Sequence, residues 1–441
     1  MVKTAAVIGL GKLGAPLAAC LASKGLRVIG VDSDSQKLEA LRAGRAPVLE
    51  TGLESLIREH QELLSATPSI EEGVANSEIT FVVVGTPSEP SGGFSLQYVL
   101  PVCDAIGRAL KSKKEFHVVV LTSTVLPGAT QGPVKSQLER AIGKKCGRDF
   151  GLCYSPEFIA LGSVIRDFLN PDFVLIGESD SHSGDILQEL YAQVCNSKPS
   201  VARMDFANAE ITKLAVNTYV TTKISFANML ARICERVPGA NVDIVTAALG
   251  LDSRIGAKYL KGAVSYGGPC FPRDNHALAA LAKQVGAPSE LAQAVDHFNR
   301  AQVQWLAALV AQHAQRGAAV GILGLTYKPQ TDVVEEAAGF LLAQELARRE
   351  FRVVAFDPAG MANARRALQE MVQFAASAEE CIAQSSVIVV TTPWKEFLEI
   401  APEKWAGANA EKTVVDCWRA LKLDSRSPGV RYIALGLGSV S

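Results

Sequence analysis

Short apolar runs in the first third of the chain end in glycine and give way to stretches whose apolar residues recur every three or four positions. Ala5 to Gly9 is a strand-length run. A glycine turn follows it, then a helical stretch from Leu13 to Lys24 and a second strand from Arg27 to Val31. Strand, turn, helix and strand make a βαβ unit. Glu78 to Val84, His117 to Thr122 and Asp172 to Ile176 have the composition of buried strands, so the first 200 residues read as one doubly wound α/β domain. The pattern changes between Asp205 and Val237, where there is neither Gly nor Pro and apolar residues such as Leu214, Val220, Ile224, Ala227 and Leu230 fall mostly at helical spacing. A helix longer than about 25 residues commonly serves more than one domain or chain. This one predicts a link between domains and a face for dimerisation. Pro238-Gly239 stops it, and further helix is predicted over Asp274 to Val285 and Leu291 to Gln315. Strands then return at Ala319 to Leu323, Arg352 to Phe356, Val387 to Thr391 and Thr413 to Asp416, with a helix over Ala338 to Arg349. The expected fold is α/β, with two Rossmann-like domains joined by a long central helix and a helical dimerisation domain. The expected boundaries are 1–200, 201–300 and 301–441.

Composition narrows the function. A chain of 441 residues can hold two or three cores. Its formal net charge of -1 argues against a general binder of nucleic acid or membrane surface, whose footprint is basic. The nine cysteines are scattered, odd in number and without a CxxC pair, which predicts neither a disulfide framework nor a metal site. Met1 to Thr4 runs straight into a strand, and no apolar run reaches the roughly 20 residues that span a bilayer. The expectation is a soluble, cytoplasmic protein.

Gly9-Leu10-Gly11-Lys12-Leu13-Gly14 is a GxGxxG string. Alone it is weak; here it follows a strand, opens a helix, and leads to a strand that ends in Asp32. The first glycine permits a tight turn, the second lets backbone N–H groups approach a pyrophosphate, and the third lets helix and strand pack closely. Asp32 can accept hydrogen bonds from both ribose hydroxyls and repel a 2′-phosphate, which favours NAD over NADP. Thr86-Pro87 and Ser123-Thr124 stand where two further βα loops open, at the strand ends where ligands bind in such sheets. For either pair alone, helix capping is the simpler reading.

The most informative stretch is Tyr266-Gly267-Gly268-Pro269-Cys270-Phe271-Pro272-Arg273-Asp274. Pro272 suits the first turn of a helix, which places Cys270 just before a helix N-terminus. That position, with Arg273 near, favours a thiolate. Asp274 can cap the helix or handle a proton. Lys213 and Asn217 are four apart on the long helix and share a face. By spacing alone, that face reads as solvated.

Taken together, these residues resemble the UDP-glucose/GDP-mannose dehydrogenase family, and the resemblance covers essentially the whole chain. Gly267 to Asp274 resembles the family's GGSCFPKD loop; Ser155-Pro156-Glu157-Phe158, Lys213 to Asn217, Asp252 to Gly256 and Gly324 to Pro329 match other motifs in order. The resemblance implies an NAD-dependent, four-electron oxidation of a nucleotide-sugar C6 alcohol, with Cys270 as nucleophile. It implies that Lys213, Asn217 and Asp274 hold the water or oxyanion, with Thr124 and Glu157 in the same network. It extends the cofactor contacts to Lys37 and Arg273. The implied sugar contacts are Glu157, Phe158, Ile159, Lys213, Asn217, Tyr259, Lys261, Gly267, Gly268 and Lys328, with Arg254 acting across a homodimer. UDP-glucose is the expected substrate. GDP-mannose, a UDP-N-acetylhexosamine or a catalytically silent sensor are the alternatives. Three positions depart from the family pattern. Leu161 replaces the second glutamate of PEFLxEG, Glu335 replaces the arginine of DxRES, and Arg419 lies one place beyond the arginine of a DxR pattern.

Overall fold

A computed structural model describes residues 1–315, 317–407, 411–424 and 426–438. The chain divides into two compact units, Met1–Ala215 and Val216–Ser441.

The first unit is built on eight strands: β1 (Thr4–Ile8), β2 (Arg27–Val31), β3 (Leu64–Thr67), β4 (Ile79–Val82), β5 (Val118–Leu121), β6 (Gly151–Tyr154), β7 (Phe173–Glu178) and β8 (Ser200–Met204). Their order is β3-β2-β1-β4-β5-β6-β7-β8, and only the β6–β7 pair is antiparallel. The central strands are apolar at nearly every position because both faces are covered. Neighbours in sequence go to opposite sides: Val7, Phe81 and Val120 enter one core, while Ile8, Val82 and Leu121 enter the other.

In the second unit the helices Val242–Gly250, Phe271–Gln284 and Glu290–His313 precede a six-stranded parallel sheet. Its strands are β9 (Ala319–Leu323), β10 (Arg352–Phe356), β11 (Gln373–Phe374), β12 (Val387–Val390), β13 (Lys412–Asp416) and β14 (Val430–Ala434), in the order β11-β10-β9-β12-β13-β14. Each predicted strand is present within a residue or two. The long helix spans Phe206–Cys234, as the Gly- and Pro-free stretch predicts, and the division between the units falls inside it. Strands β3, β6, β8, β11 and β14 were not predicted. They are two to five residues long, and several carry polar or charged side chains that mask the apolar pattern.

The two sheets repeat one device. Gly9 (φ +98°) donates its N–H to the Val31 carbonyl at 2.7 Å, and Gly324 (φ +104°) donates to Phe356 at 2.9 Å. A Cβ on Gly14 would stand 1.8 Å from the Gly9 carbonyl oxygen, and one on Gly339 would stand 1.9 Å from that of Gly324. The second glycine motif therefore has its close-packing glycine after all, displaced by the loop that runs from Leu325 to Ala337. These contacts give a test. Gly339→Ala forces the helix Ala338–Arg348 off β9 and should cost about 1–3 kcal/mol or more, the range for overpacking a filled core. Chemical denaturation should show a lower midpoint; an unchanged midpoint would mean that the helix is not seated against Gly324.

Candidate active site

In the first unit the glycine turn leaves room for a ligand where it matters. A Cβ on Gly11 would meet nothing within 4 Å, so the space over the N-terminus of the helix Gly14–Ser23 is open. Asp32 stands at the end of β2. Its Oδ2 accepts from the Leu10 N–H at 2.7 Å and from Lys37 Nζ at 3.2 Å, and its Oδ1 accepts from the Asp34 N–H at 3.0 Å. Burial pushes the Asp32 pKa up, but the hydrogen bonds from Asp34, Leu10 and Lys37 outweigh it and hold the carboxyl below its ordinary range. An ionised acceptor beside an open helix N-terminus fits a dinucleotide, with the pyrophosphate over Gly11 and a ribose diol at Asp32.

The hydroxyls at the ends of β4 and β5 do something other than capping. Thr86 Oγ1 donates to the Thr124 carbonyl at 2.8 Å, and Ser123 Oγ donates to the Val84 carbonyl at 2.6 Å. The two loops are thereby braced against each other.

Glu157 follows β6 and lines a small cavity with Leu13, Val83, Thr122 and Ile159. Burial pushes its pKa up to about 7, against the opposing pull of the Lys213 charge and a hydrogen bond from Tyr191. Lys213 is itself buried. Its Nζ donates to the Glu157 backbone carbonyl at 2.6 Å and stands 4.7 Å over the Phe158 ring. One turn earlier on the same helix, Glu210 accepts from the N–H groups of Gly128 at 2.6 Å and Thr130 at 2.8 Å. The long helix is thus stitched to the loops that leave β5 and β6, and its face at Lys213 is polar but not solvated.

Leu161 lies in a loop whose shape is set by a residue the sequence did not single out. Buried Glu50 accepts from Gly162 N–H at 2.7 Å and Val164 N–H at 2.9 Å. It sits more than a hundred positions away in the chain, and no local pattern announces the pairing.

In the second unit Cys270 is exposed and occupies the N-cap position of the helix Phe271–Gln284, with proline in the first turn. Asp274 is buried one turn in; its N–H donates to the Cys270 carbonyl at 2.8 Å, and its Oδ2 accepts from Asn217 Nδ2 at 2.6 Å. Asp274 therefore faces Asn217. Gly267 and Gly268 are required by close approach: a Cβ on Gly267 would lie 2.2 Å from the Glu336 carbonyl oxygen, and one on Gly268 (φ +84°) 2.9 Å from the Tyr327 ring. The Glu335 carbonyl accepts from the Gly268 N–H at 2.9 Å, so the backbone at this departure supports the cysteine loop whatever its side chain does. Tyr259 (φ +64°) meets Phe271 edge-on, with ring centroids 6.2 Å apart. Lys328 follows Tyr327 directly. Lys261 is exposed, next to Gly262, whose carbonyl accepts from Arg419 at 2.7 Å. Arg419 is buried and forms a two-pronged pair with Asp243 at 2.8 and 3.0 Å, so it organises the protein and is not presented as a ligand contact. Arg254 stands apart in solvent, 87% exposed and paired with Asp252.

Two buried asparagines, which the sequence analysis missed, hold the segment before Cys270. Asn228 Oδ1 accepts from Ala263 N–H at 2.7 Å and its Nδ2 donates to the Val264 carbonyl at 2.8 Å. Asn299 does the same for Tyr266, at 2.8 and 3.0 Å. A polar residue inside an apolar helical stripe was the available signal.

Comparison with known proteins agrees with this geometry. Residues 3–195, 207–301 and 321–423 match the NAD binding, central and UDP binding domains of the UDP-glucose/GDP-mannose dehydrogenase family. A UDP-glucose 6-dehydrogenase of Haloferax volcanii is 33% identical over 97% of this chain and 99% of its own length. A GDP-mannose 6-dehydrogenase of Pseudomonas aeruginosa is 34% identical over 80% of each chain. The solved UDP-glucose dehydrogenase of Pyrobaculum islandicum superposes with a TM-score of 0.90 at 32% identity, covering 99% of this chain and 98% of the other.

The asparagine clamp on Tyr266 generates the next test. Asn299→Leu leaves a buried N–H and a buried C=O without partners, at about 1–3 kcal/mol each. Denaturation should show that loss, and alkylation of Cys270 by iodoacetamide should change rate because its loop is released. Unaltered stability and alkylation would show that the clamp does not hold the loop.

Proposed function

The chain belongs to the UDP-glucose/GDP-mannose dehydrogenase family, and we propose that it oxidises the C6 alcohol of UDP-glucose to the carboxylate through a thioester on Cys270. The observation that carries this reading is the exposed Cys270 at a helix N-terminus, one turn from the buried Asp274–Asn217 pair. The three-part organisation at 1–200, 201–300 and 301–441 belongs to the same proposal.

Bound NAD supplies the chemistry of hydride acceptance, used twice for each sugar. Gly9 to Gly14, Asp32, Lys37, Thr86, Pro87, Ser123, Thr124 and Arg273 hold it in the right place. Cys270 Sγ bonds to C6 of the aldehyde formed by the first oxidation, so the aldehyde is not released. Its oxygen becomes the thiohemiacetal hydroxyl, which the second oxidation turns into the thioester carbonyl. Lys213 and Asn217 stabilise the oxyanions that develop on that oxygen, and Asp274, which accepts from Asn217 Nδ2, orients that amide. Water then adds to the thioester, Glu157 takes its proton, and Cys270 leaves as thiolate while the carboxylate departs. Phe158, Ile159, Tyr259, Lys261, Gly267, Gly268 and Lys328 orient the nucleotide sugar.

A second copy of the chain completes the proposal. Tyr219, Phe226 and Ile233 on the long helix are 63%, 44% and 50% exposed, and Ile244 and Leu251 beyond it are 69% and 87% exposed. An apolar face of this kind favours a partner, and the exposed Arg254 is available to the partner's sugar. The nine free cysteines suit a reducing cytoplasm, and no helix among the described residues is long and apolar enough to cross a membrane.

Two outcomes check this reading. Incubation with NAD and a panel of nucleotide sugars should give two NADH per sugar, with UDP-glucose preferred over GDP-mannose and the UDP-N-acetylhexosamines. Cys270→Ser should stall net oxidation, because an alkoxide leaves an ester far less readily than a thiolate leaves a thioester. Wild-type turnover by that variant would rule out the covalent route, and no turnover with any sugar would favour a silent sensor. Separately, sedimentation at assay concentration should show a dimer. Tyr219→Glu combined with Ile233→Glu should give monomers with weakened sugar binding, and a fully active monomer would remove Arg254 from its assigned role.

A further inference from the structure

Glu50 is a buried carboxyl with no part in the chemistry above, yet it grips the far end of a segment that has one. Residues 157–162 belong to no strand or helix, so side chains must give the segment its shape. Its near end is fixed twice. Lys213 Nζ donates to the Glu157 carbonyl at 2.6 Å, and the centroid of the Phe158 ring stands 4.8 Å from that of Phe173. Its far end is fixed by Glu50, whose Oε2 accepts from the Gly162 N–H at 2.7 Å and whose Oε1 accepts from the Val164 N–H at 2.9 Å. Between these anchors Ile159, Ala160 and Leu161 are half-buried.

Glu50 has a firm seat. It lies just ahead of the helix Leu53–Glu59, whose Leu53 and Ile57 are fully buried in the core that Ile159 packs against. The residue it grips, Gly162, has φ +84°, a backbone that other side chains rarely adopt. Both Glu50 oxygens meet N–H groups, so glutamine cannot take its place: the amide nitrogen would face another donor. A ligand that meets Ile159 to Leu161 therefore finds the segment already ordered and does not bear the entropy of ordering it.

We propose that Glu50 is a positioning residue for the nucleotide sugar, holding Ile159 to Leu161 in the shape that the sugar meets. The proposal rests on the reading of Phe158 and Ile159 as sugar contacts. Glu50 acts on the sugar only through the segment. Its loss should therefore weaken the sugar and spare NAD, which the glycine turn and Asp32 hold.

The experiment is calorimetric titration of the full-length protein and its variants with UDP-glucose and, separately, with NAD. Glu50→Gln should weaken UDP-glucose about tenfold, the order of the cost of ordering one or two side chains on binding. NAD should bind as it does to the wild type. Ile159→Ala should also weaken the sugar. The double variant should weaken it by less than the product of the two single effects, because both act through one segment. If Glu50→Gln binds UDP-glucose as the wild type does, loses NAD to the same extent, or multiplies fully with Ile159→Ala, the positioning role alone is overturned. If Ile159→Ala leaves the sugar affinity unchanged, the reading of the segment as a sugar contact fails and the proposal fails with it. Should Glu50→Gln not fold, Gly162→Ala, which strains the same anchor from the other side, decides by the same comparison.

Discussion

In each unit an aspartate at the end of the second strand accepts a backbone N–H from the turn that leaves the first. Leu10 N–H meets Asp32 at 2.7 Å, and Leu325 N–H meets Asp357 at 2.7 Å. This hydrogen bond needs the turn glycine at positive φ and a helix packed tightly against it, and both sheets are arranged around that need. What the two aspartates have left over separates their roles. Asp32 accepts from Leu10, Asp34 and Lys37 and stands beside open space at Gly11. Asp357 accepts from Leu325, Thr326 twice, Trp394, Ala359 and Gly360, so its lone pairs are spent within the protein. The same turn serves a dinucleotide in one unit. In the other, the loop inserted between Gly324 and Gly339 is free for a different task. It brings Tyr327 against Gly268 and the Glu335 carbonyl against the Gly268 N–H.

The cysteine loop therefore depends on supports from well outside its own motif. Glycines at 267 and 268 permit the approach of the 335–336 backbone, Asn299 grips Tyr266 on both sides, and Asn228 grips the residues before it. Under the proposed mechanism Cys270 must attack one carbon and later leave it, which a wandering backbone would not permit, since small displacements cost orders of magnitude in rate.

What could be read from the sequence follows from how local each feature is. The βαβ unit, the long helix and the loop around Cys270 announce themselves through apolar period, missing breakers, and glycines and prolines crowded into a few positions. Lys213 and Asn217 could be placed on one face, but not judged. By spacing they look solvated, and only the Glu157 carbonyl and Asp274 in the folded chain show otherwise. Glu50, Asn228, Asn299 and Tyr191 were illegible because their partners lie far along the chain. Gly339 escaped notice because an inserted loop separates it from Gly324, whereas Gly14 follows Gly9 closely. Arg419, one place beyond the arginine of the family's DxR pattern, is an internal brace to Asp243, a pairing that lies 176 positions away in the chain.

Leu161 shows how these levels combine. The family pattern has a carboxylate there, and its loss first suggests a damaged site. The loop needs no carboxylate of its own for its shape, since Glu50 holds the Gly162 and Val164 N–H groups. Electrostatics makes the leucine intelligible. A second negative charge in the segment would oppose ionisation of Glu157, whose carboxyl burial already pushes up to about 7. A neutral side chain spares it that repulsion, while Lys213 and Tyr191 pull the other way. One carboxyl poised near neutrality can take a proton from water and return it to solvent without a second acid beside it. Under the proposed mechanism Glu157 then serves as the proton acceptor without a second carboxylate at position 161.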